Sequence, residues 1–178
     1  VVDIKTRKFD GCLRYGEYLL KGETAETILL TSYLCHPSLA NNELSGPLAL
    51  AGIYNKLANQ KNLKFSYRFV IIPETIGSIS FLASSSPKDL SEVVAGVVLT
   101  CLGGPSKTVS FKHSRRHWVE HDSLIDEVVE KVCANDKAIY KSRNFSPTGG
   151  SDERQFCSPA FNLPVIQAAR TLYGQYDE

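Results

Sequence analysis

The chain has 178 residues, a formal net charge of +1 at pH 7, 43% hydrophobic residues and 22% charged residues. This length and composition are typical of one globular domain with a substantial core, and the near-neutral charge gives no reason to expect nucleic acid or an anionic membrane as a partner. Five scattered cysteines do not resemble a disulfide framework, so we expect a reducing compartment. No long apolar run and no signal peptide is found, which predicts a cytoplasmic protein.

The first third of the chain predicts a hairpin, a strand and a helix. Residues 1–20 contain Asp10-Gly11 between two strand-like runs, which is a strong hairpin signal. The apolar run over 27–33 predicts a strand that is covered on both faces. After a polar loop, apolar residues recur at helical spacing over about 45–59, and Ser45 is a suitable N-cap for this helix.

The remaining chain repeats this order of strand, polar loop and helix. Strands that alternate with helices predict an α/β fold, with a mostly parallel mixed sheet and helices on both faces. The long loop over 144–159 contains several glycine and proline breaks, and its length suggests a function. Further strands are predicted over 65–72, 93–101, 107–112 (as an edge strand), 139–140 and 163–169, and further helices over 78–84 and from Asp122 onwards, with Asp122 as the N-cap.

Polar or glycine residues follow the carboxyl ends of four predicted strands. They are His36, Glu74, the Gly103-Gly104 pair and Arg170. Because ligands bind beyond the carboxyl ends of strands in open α/β sheets, we expect these residues to lie at one rim. An imidazole can bind a metal ion, and a nearby carboxylate can take a proton from water, so His36 and Glu74 predict metal-assisted hydrolysis.

Several longer motifs occur in a fixed order: CHPSLANNELSG, RFVIIPETIGSISFL, VVLTCLGG, FKHSRR, GSDERQFCSPAFNLPV and RTLYG. In this order they resemble the bacterial aminopeptidase-like proteins of the zinc-dependent exopeptidase fold, a family often associated with surface-polysaccharide gene clusters. The resemblance implies a catalytic domain that is interrupted by a smaller inserted domain. Residues 1–22 would be a hairpin that returns from this insert, and 23–178 would be part of the catalytic domain, whose first part lies upstream of Val1.

The resemblance also implies roles for individual residues. His36 matches the first metal-binding histidine of the family, and Glu74 matches its general base. Where relatives carry a metal-bridging aspartate this chain has Asn42, with Glu43 beside it, and Gly104 stands where relatives commonly have another aspartate. A late histidine ligand would lie beyond the last residue. We therefore expect zinc as the cofactor, held weakly and at low occupancy because an asparagine brings no charge.

The DERQ motif supplies candidates for substrate binding. Asp152 either orients a ligand or a substrate amine or caps the helical turn over 152–156. Arg154 is a candidate substrate contact, and so is Arg170. The expected substrate is a peptide or an aminoacyl small molecule, and a homo-oligomer is a further expectation.

Two alternative sites remain open. His113, His117 and His121 recur every four residues, so on a continuous helix they would share one face and could chelate a metal ion. Cys35 stands beside His36, but adjacent residues of an extended chain point to opposite sides, which disfavours a cysteine nucleophile. The sequence thus predicts a zinc-dependent aminopeptidase-like hydrolase, or alternatively a catalytically degenerate relative that binds a peptide or a glycan intermediate.

Overall fold

The computed structural model describes residues 2–121 and 123–170, and within them the protein forms a seven-stranded sheet with the order β1-β3-β2-β4-β7-β5-β6. The four central strands β3, β2, β4 and β7 are parallel to one another. The two outer parts contain the antiparallel pairs β1 with β3 and β5 with β7, and β6 is parallel to β5. The strands are β1 (Gly16–Leu20), β2 (Thr27–Tyr33), β3 (Ser66–Ile72), β4 (Val93–Leu99), β5 (Val109–Lys112), β6 (Tyr140–Arg143) and β7 (Val165–Ala169).

Six α-helices connect these strands, and the prediction of a mostly parallel α/β sheet with helices on both faces is confirmed. Successive residues of the central strands point to opposite faces of the sheet, and each face has its own hydrophobic core. Leu29 belongs to one core and Leu30 to the other. Helix α1 covers the core of Leu30, and α2 and α6 cover that of Leu29. The helices are α1 (Ser45–Ala58), α2 (Ile76–Ser84), α3 (Pro87–Ser91), α4 (Arg115–Val119), α5 (Leu124–Asn135) and α6 (Glu153–Phe156).

The start of α1 differs from the prediction. A single π-helical turn, Ala40–Leu44, runs directly into α1, so Ser45 is the first residue of the helix and does not cap it. The Ser45 hydroxyl instead contacts the Asn41 carbonyl and accepts a hydrogen bond from the backbone N–H of Leu102, at 2.8 Å. The π-turn is thereby tied to the loop that follows β4.

The predicted N-terminal hairpin is wrong. Residues 2–15 form no strand, and Gly16–Leu20 pairs with β3 instead of with a preceding strand. The pairing with β3 adds β1 to a sheet of several strands, an advantage that an isolated two-stranded hairpin lacks, although the side chains of β1 stay largely exposed. That residues 1–22 return from an inserted domain that lies upstream stays a prediction.

The predicted edge strand over 107–112 is also placed differently, because β5 lies between β7 and β6 and only β6 forms that edge. Asp122, the predicted N-cap of α5, lies outside the described residues, and the helix begins after Ser123. In the described part of the chain, none of the helices has the length and apolar character needed to span a bilayer.

Candidate metal and active site

Three potential metal ligands meet where the chain leaves β2. The imidazole of His36 contacts the carboxylate of Glu43 through Nδ1, and the Cys35 thiol lies 3.3 Å from the same nitrogen. One donor atom from each residue falls within 4.8 Å of the others. Glu43 is 2% exposed and also accepts the backbone N–H of Cys35. The π-turn therefore positions Glu43, and not Asn42, against His36.

The expectation that Cys35 and His36 point apart is wrong, because β2 ends at Tyr33 and the two residues lie in a loop rather than in extended chain. Burial raises the pKa of the Cys35 thiol; a hydrogen bond from the Glu74 backbone opposes this, and nearby carboxylates such as Glu43 add to the rise. A thiol with a raised pKa is a poor nucleophile at neutral pH. A metal ion also binds the thiolate, so Cys35 must release its proton on binding to serve as a ligand.

Glu74 faces His36 across the rim, as predicted. Its Oε2 lies 3.6 Å from Nε2 of His36, and its Oε1 accepts a hydrogen bond of 2.7 Å from the Ser151 hydroxyl. One carboxylate oxygen is thus held by the loop before α6, while the other faces the imidazole. Ser151 was not identified in the sequence, since no local pattern connects it with a residue 77 positions away.

A cavity of about 160 Å³ lies beside these groups at the carboxyl ends of the parallel strands. Its polar wall includes Asn42 and Glu74. The hydroxyls of Tyr33 and Thr100, which also line it, form a hydrogen bond of 2.6 Å with each other. Gln167 closes the floor and accepts a hydrogen bond of 2.7 Å from Arg143. The cavity combines a carboxylate with several neutral hydrogen-bonding groups, as a site for a small polar ligand requires.

Asp152 supports the segment that carries Glu74. It is fully buried, and its Oδ1 accepts hydrogen bonds from the Thr75 backbone N–H at 2.7 Å and from the Ser78 hydroxyl at 2.9 Å. Burial, reinforced by the charges of Glu74 and Glu153, raises the pKa of Asp152 to about 7 despite those two hydrogen bonds. Its Oδ2 is buried without a hydrogen-bond partner among the described residues.

Three of the six non-glycine residues with positive φ in the described chain lie around the same rim. Thr75 has φ +63°, and positive φ values also occur at Ser38 and Cys101, which follow β2 and β4. For a β-branched residue such as threonine this conformation is a genuine outlier and costs roughly 1–3 kcal/mol. The hydrogen bond that the Thr75 backbone N–H donates to Asp152 holds one of these strained residues in place, and such strain tends to collect at functional sites.

A buried ion pair anchors the loop that carries Ser151 and Asp152. Lys112 and Glu153 are both fully buried, with Nζ and Oε1 2.5 Å apart. Lys112 also donates to the carbonyls of Ser146 and Gly149, at 2.8 and 2.5 Å. Desolvation lowers the pKa of Lys112, and the charge of Glu153 opposes that effect. The pair thereby connects the end of β5 to the loop over 144–152.

The donor set fits a zinc ion. Zinc binds imidazole nitrogen, thiolate sulfur and carboxylate oxygen, and His36, Cys35 and Glu43 offer one of each, all within 4.8 Å of one another. None of these three residues lines the cavity that contains Glu74, although His36 Nε2 lies 3.6 Å from Glu74 Oε2. Asn42 lines the same cavity with a neutral side chain.

The other predicted substrate contacts lie at the edge of this arrangement. Arg154 donates from Nε to the Ser151 carbonyl at 3.1 Å, and Arg170 donates to the Ser106 carbonyl at 2.7 Å. Neither arginine lines the cavity beside Glu74. Their roles in substrate binding stay predictions.

The prediction that three histidines share one face of a continuous helix is wrong. Helix α4 spans only Arg115–Val119, so His113 precedes it, and His121, with φ +53°, follows it. His113 is buried and His117 stacks on it, with ring centroids 4.0 Å apart.

A larger groove lies elsewhere, between β1 and α1, with a volume of about 380 Å³. Its walls are apolar side chains such as Tyr54 and Phe69, and Glu17 is its only ionisable carboxylate among the described lining residues. Hydrolysis needs several converging polar groups, so the smaller cavity at the strand ends is the better candidate.

Comparison with known proteins shows the family and the fold of the chain. The family described as a domain of unknown function, DUF4910, matches residues 4–178. A candidate polysaccharide biosynthesis protein with an aminopeptidase-like domain, from Clostridium acetobutylicum, is 45% identical over 165 residues, which are 93% of this chain and 36% of that protein. The chain therefore spans about a third of the length of this relative.

Solved structures show the same fold. A crystal structure of a candidate peptidase from Clostridium acetobutylicum superposes with a TM-score of 0.82 at 42% identity, over 90% of this chain and 36% of that one. A zinc aminopeptidase from Bacillus subtilis superposes with a TM-score of 0.69 at 15% identity, over 91% of this chain and 42% of that one. The chain belongs to the DUF4910 family and has the aminopeptidase-like fold of the zinc-dependent exopeptidases.

Proposed function

We propose that this chain forms part of a zinc-dependent aminopeptidase-like hydrolase, which cleaves an amide bond in a peptide or an aminoacyl compound. The observation that carries the proposal is the arrangement of His36 between two carboxylates. Glu43 contacts one ring nitrogen, and Glu74 lies 3.6 Å from the other. A ligand group and a proton acceptor thus share one rim, as metal-assisted hydrolysis requires.

Glu74 is the general base in this proposal. Its Oε1 is fixed by the Ser151 hydroxyl at 2.7 Å, which leaves Oε2 directed towards His36 as the proton acceptor. Glu74 takes a proton from the attacking water and then delivers it to the leaving amine. A positioned carboxylate in such a role typically accelerates a reaction by about 10²–10⁴-fold.

His36 and Glu43 are the residues that would hold the zinc ion, with Cys35 as a third donor. When bound, zinc polarises a carbonyl and lowers the pKa of water from about 15.7 to about 7. The side chains of Tyr33 and Thr100 lie in the same cavity, where they can orient the polar end of a substrate. Arg170 lies at the same rim, and its substrate contact is part of the proposal.

The test uses zinc-loaded protein and a panel of aminoacyl p-nitroanilides. Glu74→Gln should lower the rate of release by at least about 100-fold, because the amide cannot accept the proton. The melting temperature should change little, since Gln can still accept the hydrogen bond from Ser151. The matched control is Glu26→Gln, the same change at an exposed residue before β2; it should keep the wild-type rate.

Two results would contradict the assignment. If Glu74→Gln keeps full activity but melts several degrees lower, Glu74 has a structural role. If His36→Ala retains all of the zinc bound by the wild-type protein, the proposed ligand set is wrong. Zinc content is measured by elemental analysis after dialysis without chelator.

A second candidate is a non-catalytic relative that binds a peptide or a glycan intermediate in the same cavity. The observation that favours it is Asn42, a neutral side chain that lines the cavity where the family resemblance implies an aspartate. This protein would release no product from any aminoacyl amide, and His36→Ala would lower its zinc content by less than about a tenth of an equivalent. A cytoplasmic location and self-association remain proposals, to be checked by fractionation and by analytical ultracentrifugation.

A further inference from the structure

A second cluster of metal-binding groups lies at the junction of β5, α4 and α5. His113 follows the last residue of β5, His117 belongs to α4, and Glu130 belongs to α5. One donor atom from each residue lies within 4.8 Å of the others. Three different elements thus direct an imidazole, a second imidazole and a carboxylate to a common point.

This cluster is separate from the candidate active site. Strand β5 is antiparallel to β7, with Lys112 opposite Gln167 and Ser110 opposite Ala169. The carboxyl end of β5 therefore lies on the side of the sheet where β7 begins, and the carboxyl end of β7 lies on the other side. His113 and its neighbours lie on the side where β7 begins and share no residue with the site of His36.

The orientation of His113 is fixed by a buried carboxylate. Nδ1 of His113 donates to Asp126 Oδ1 at 2.8 Å, and Asp126, which is 1% exposed, also accepts from the backbone and the hydroxyl of Ser114. With its proton on Nδ1, a neutral imidazole presents the lone pair of Nε2. A buried carboxylate that orients a histidine in this way is the usual support of a metal ligand.

The second ring nitrogen of His113, Nε2, faces Glu130. Nε2 lies 2.8 Å from Oε1 of Glu130, so two acceptors face each other unless a proton or a cation joins them. Two donors at about 2.0–2.1 Å from zinc are separated by about 2.9 Å at a right angle and about 3.4 Å at a tetrahedral angle. The Glu130 side chain, which is 54% exposed, has room to swing aside and admit an ion between the two atoms.

His117 completes the set from the solvent side. Its ring stacks on that of His113, with centroids 4.0 Å apart and an interplanar angle of 13°. A ring nitrogen of His117 already lies within 4.8 Å of the donor atoms of His113 and Glu130, and the ring must turn out of the stack for its lone pair to face the same ion. A cavity of about 290 Å³, lined by His117 and Glu130 among others, opens beside the cluster and leaves room for a water ligand.

We propose that His113, His117 and Glu130 bind a divalent transition-metal ion such as zinc, with Asp126 as the supporting carboxylate of His113. The bound ion joins α4 to α5 and to the end of β5. Because it binds the folded state, it raises the melting temperature as its concentration increases. This site is independent of the proposed hydrolase and exists whether or not that activity is found.

The test compares the metal content of the full chain and two double variants after equilibrium dialysis against zinc at pH 7.5. His117→Ala/Glu130→Ala should bind about one equivalent less than the wild-type protein, because two of three ligands are lost. The matched control, His121→Ala/Glu127→Ala, removes a histidine and a carboxylate that line the same cavity but lie outside the ligand set. It should bind as much zinc as the wild-type protein.

A titration with cobalt adds a second readout. Cobalt at this site has only nitrogen and oxygen donors, so the ligand variant should lose d–d absorption without losing any sulfur-to-cobalt charge-transfer band. Equal zinc content in the wild-type protein and the ligand variant would overturn the proposal. An equal loss in the ligand and control variants would overturn it too, because it would indicate binding by surface histidines. Both mutated positions of the ligand variant are at least partly exposed, and circular dichroism checks that it remains folded.

Discussion

The buried carboxyl of Asp152 predicts a specific dependence of stability on pH. Asp152→Asn removes the titrating group but keeps an oxygen that can accept the hydrogen bonds from Thr75 and Ser78. In the folded protein the pKa of Asp152 is raised from 3.8 to about 7, first by burial and then by the charges of Glu74 and Glu153. The substitution therefore isolates the effect of one ionisation.

The sign follows from the proton count in each state. Between about pH 4 and pH 7 the unfolded chain has lost the Asp152 proton while the folded chain keeps it, so unfolding releases a proton. The stabilisation from protonated Asp152 is fully present below the unfolded pKa and is lost as the pH rises through the folded pKa. Each unit of pKa shift corresponds to about 1.4 kcal/mol, so the wild-type protein should lose roughly 4 kcal/mol relative to the variant from pH 4 to pH 8.

Urea unfolding at closely spaced pH values, with chelator present, measures this difference. Between pH 5 and pH 8 the stability of the wild-type protein minus that of Asp152→Asn should fall by roughly 3 kcal/mol. The control Asp10→Asn, at an exposed residue, should follow the wild-type protein at every pH. A difference that stays constant within about 0.5 kcal/mol, or one that rises with pH, would refute the account of Asp152 as a buried, protonated carboxyl.

Two further predictions concern the framework around the site. Lys112→Met leaves Glu153 buried without its partner and should cost about 3–5 kcal/mol of unfolding free energy. The control Lys88→Met breaks only an exposed pair and should cost less than about 1 kcal/mol. Similar losses for both variants in urea unfolding would disprove this. Gly46→Ala places a Cβ against the backbone at the end of β4 and should cost about 1–3 kcal/mol. Gly52→Ala, in open space on the same helix, should stabilise by about 0.5–1 kcal/mol, and a thermal melt in which both changes act alike would contradict the packing argument.

Local patterns were sufficient for most of the regular structure. The apolar run over 27–33 and the helical spacing after Ser45 predicted β2 and α1 to within a residue. They failed at the N-terminus, where Asp10-Gly11 indicated a hairpin and residues 2–15 form no strand. A turn signal requires two strands that gain from pairing, and β1 gains more by pairing with β3 than with the chain before it.

The candidate site was predicted in part. His36 and Glu74 were placed at one rim because each follows a parallel strand, and the structure brings them to 3.6 Å. The contact of Glu43 with His36 depends on the π-helical turn, which no periodicity in the sequence indicated. Ser151 reaches Glu74 from 77 residues away, so only the folded chain shows that the two interact.

The order of residues by itself determined the alternation of strands and helices, and with it the edge of the sheet at which polar side chains collect. This is possible because hydrophobic periodicity is a local property, and parallel strands connected by helices all end on the same side. Only the tertiary structure decided which side chains face each other. It joined Lys112 to Glu153, buried Asp152 beneath Glu74, and gathered His113, His117 and Glu130 from three elements. These contacts arise from packing between segments that are distant in the chain, where burial and charge act through space rather than along the sequence.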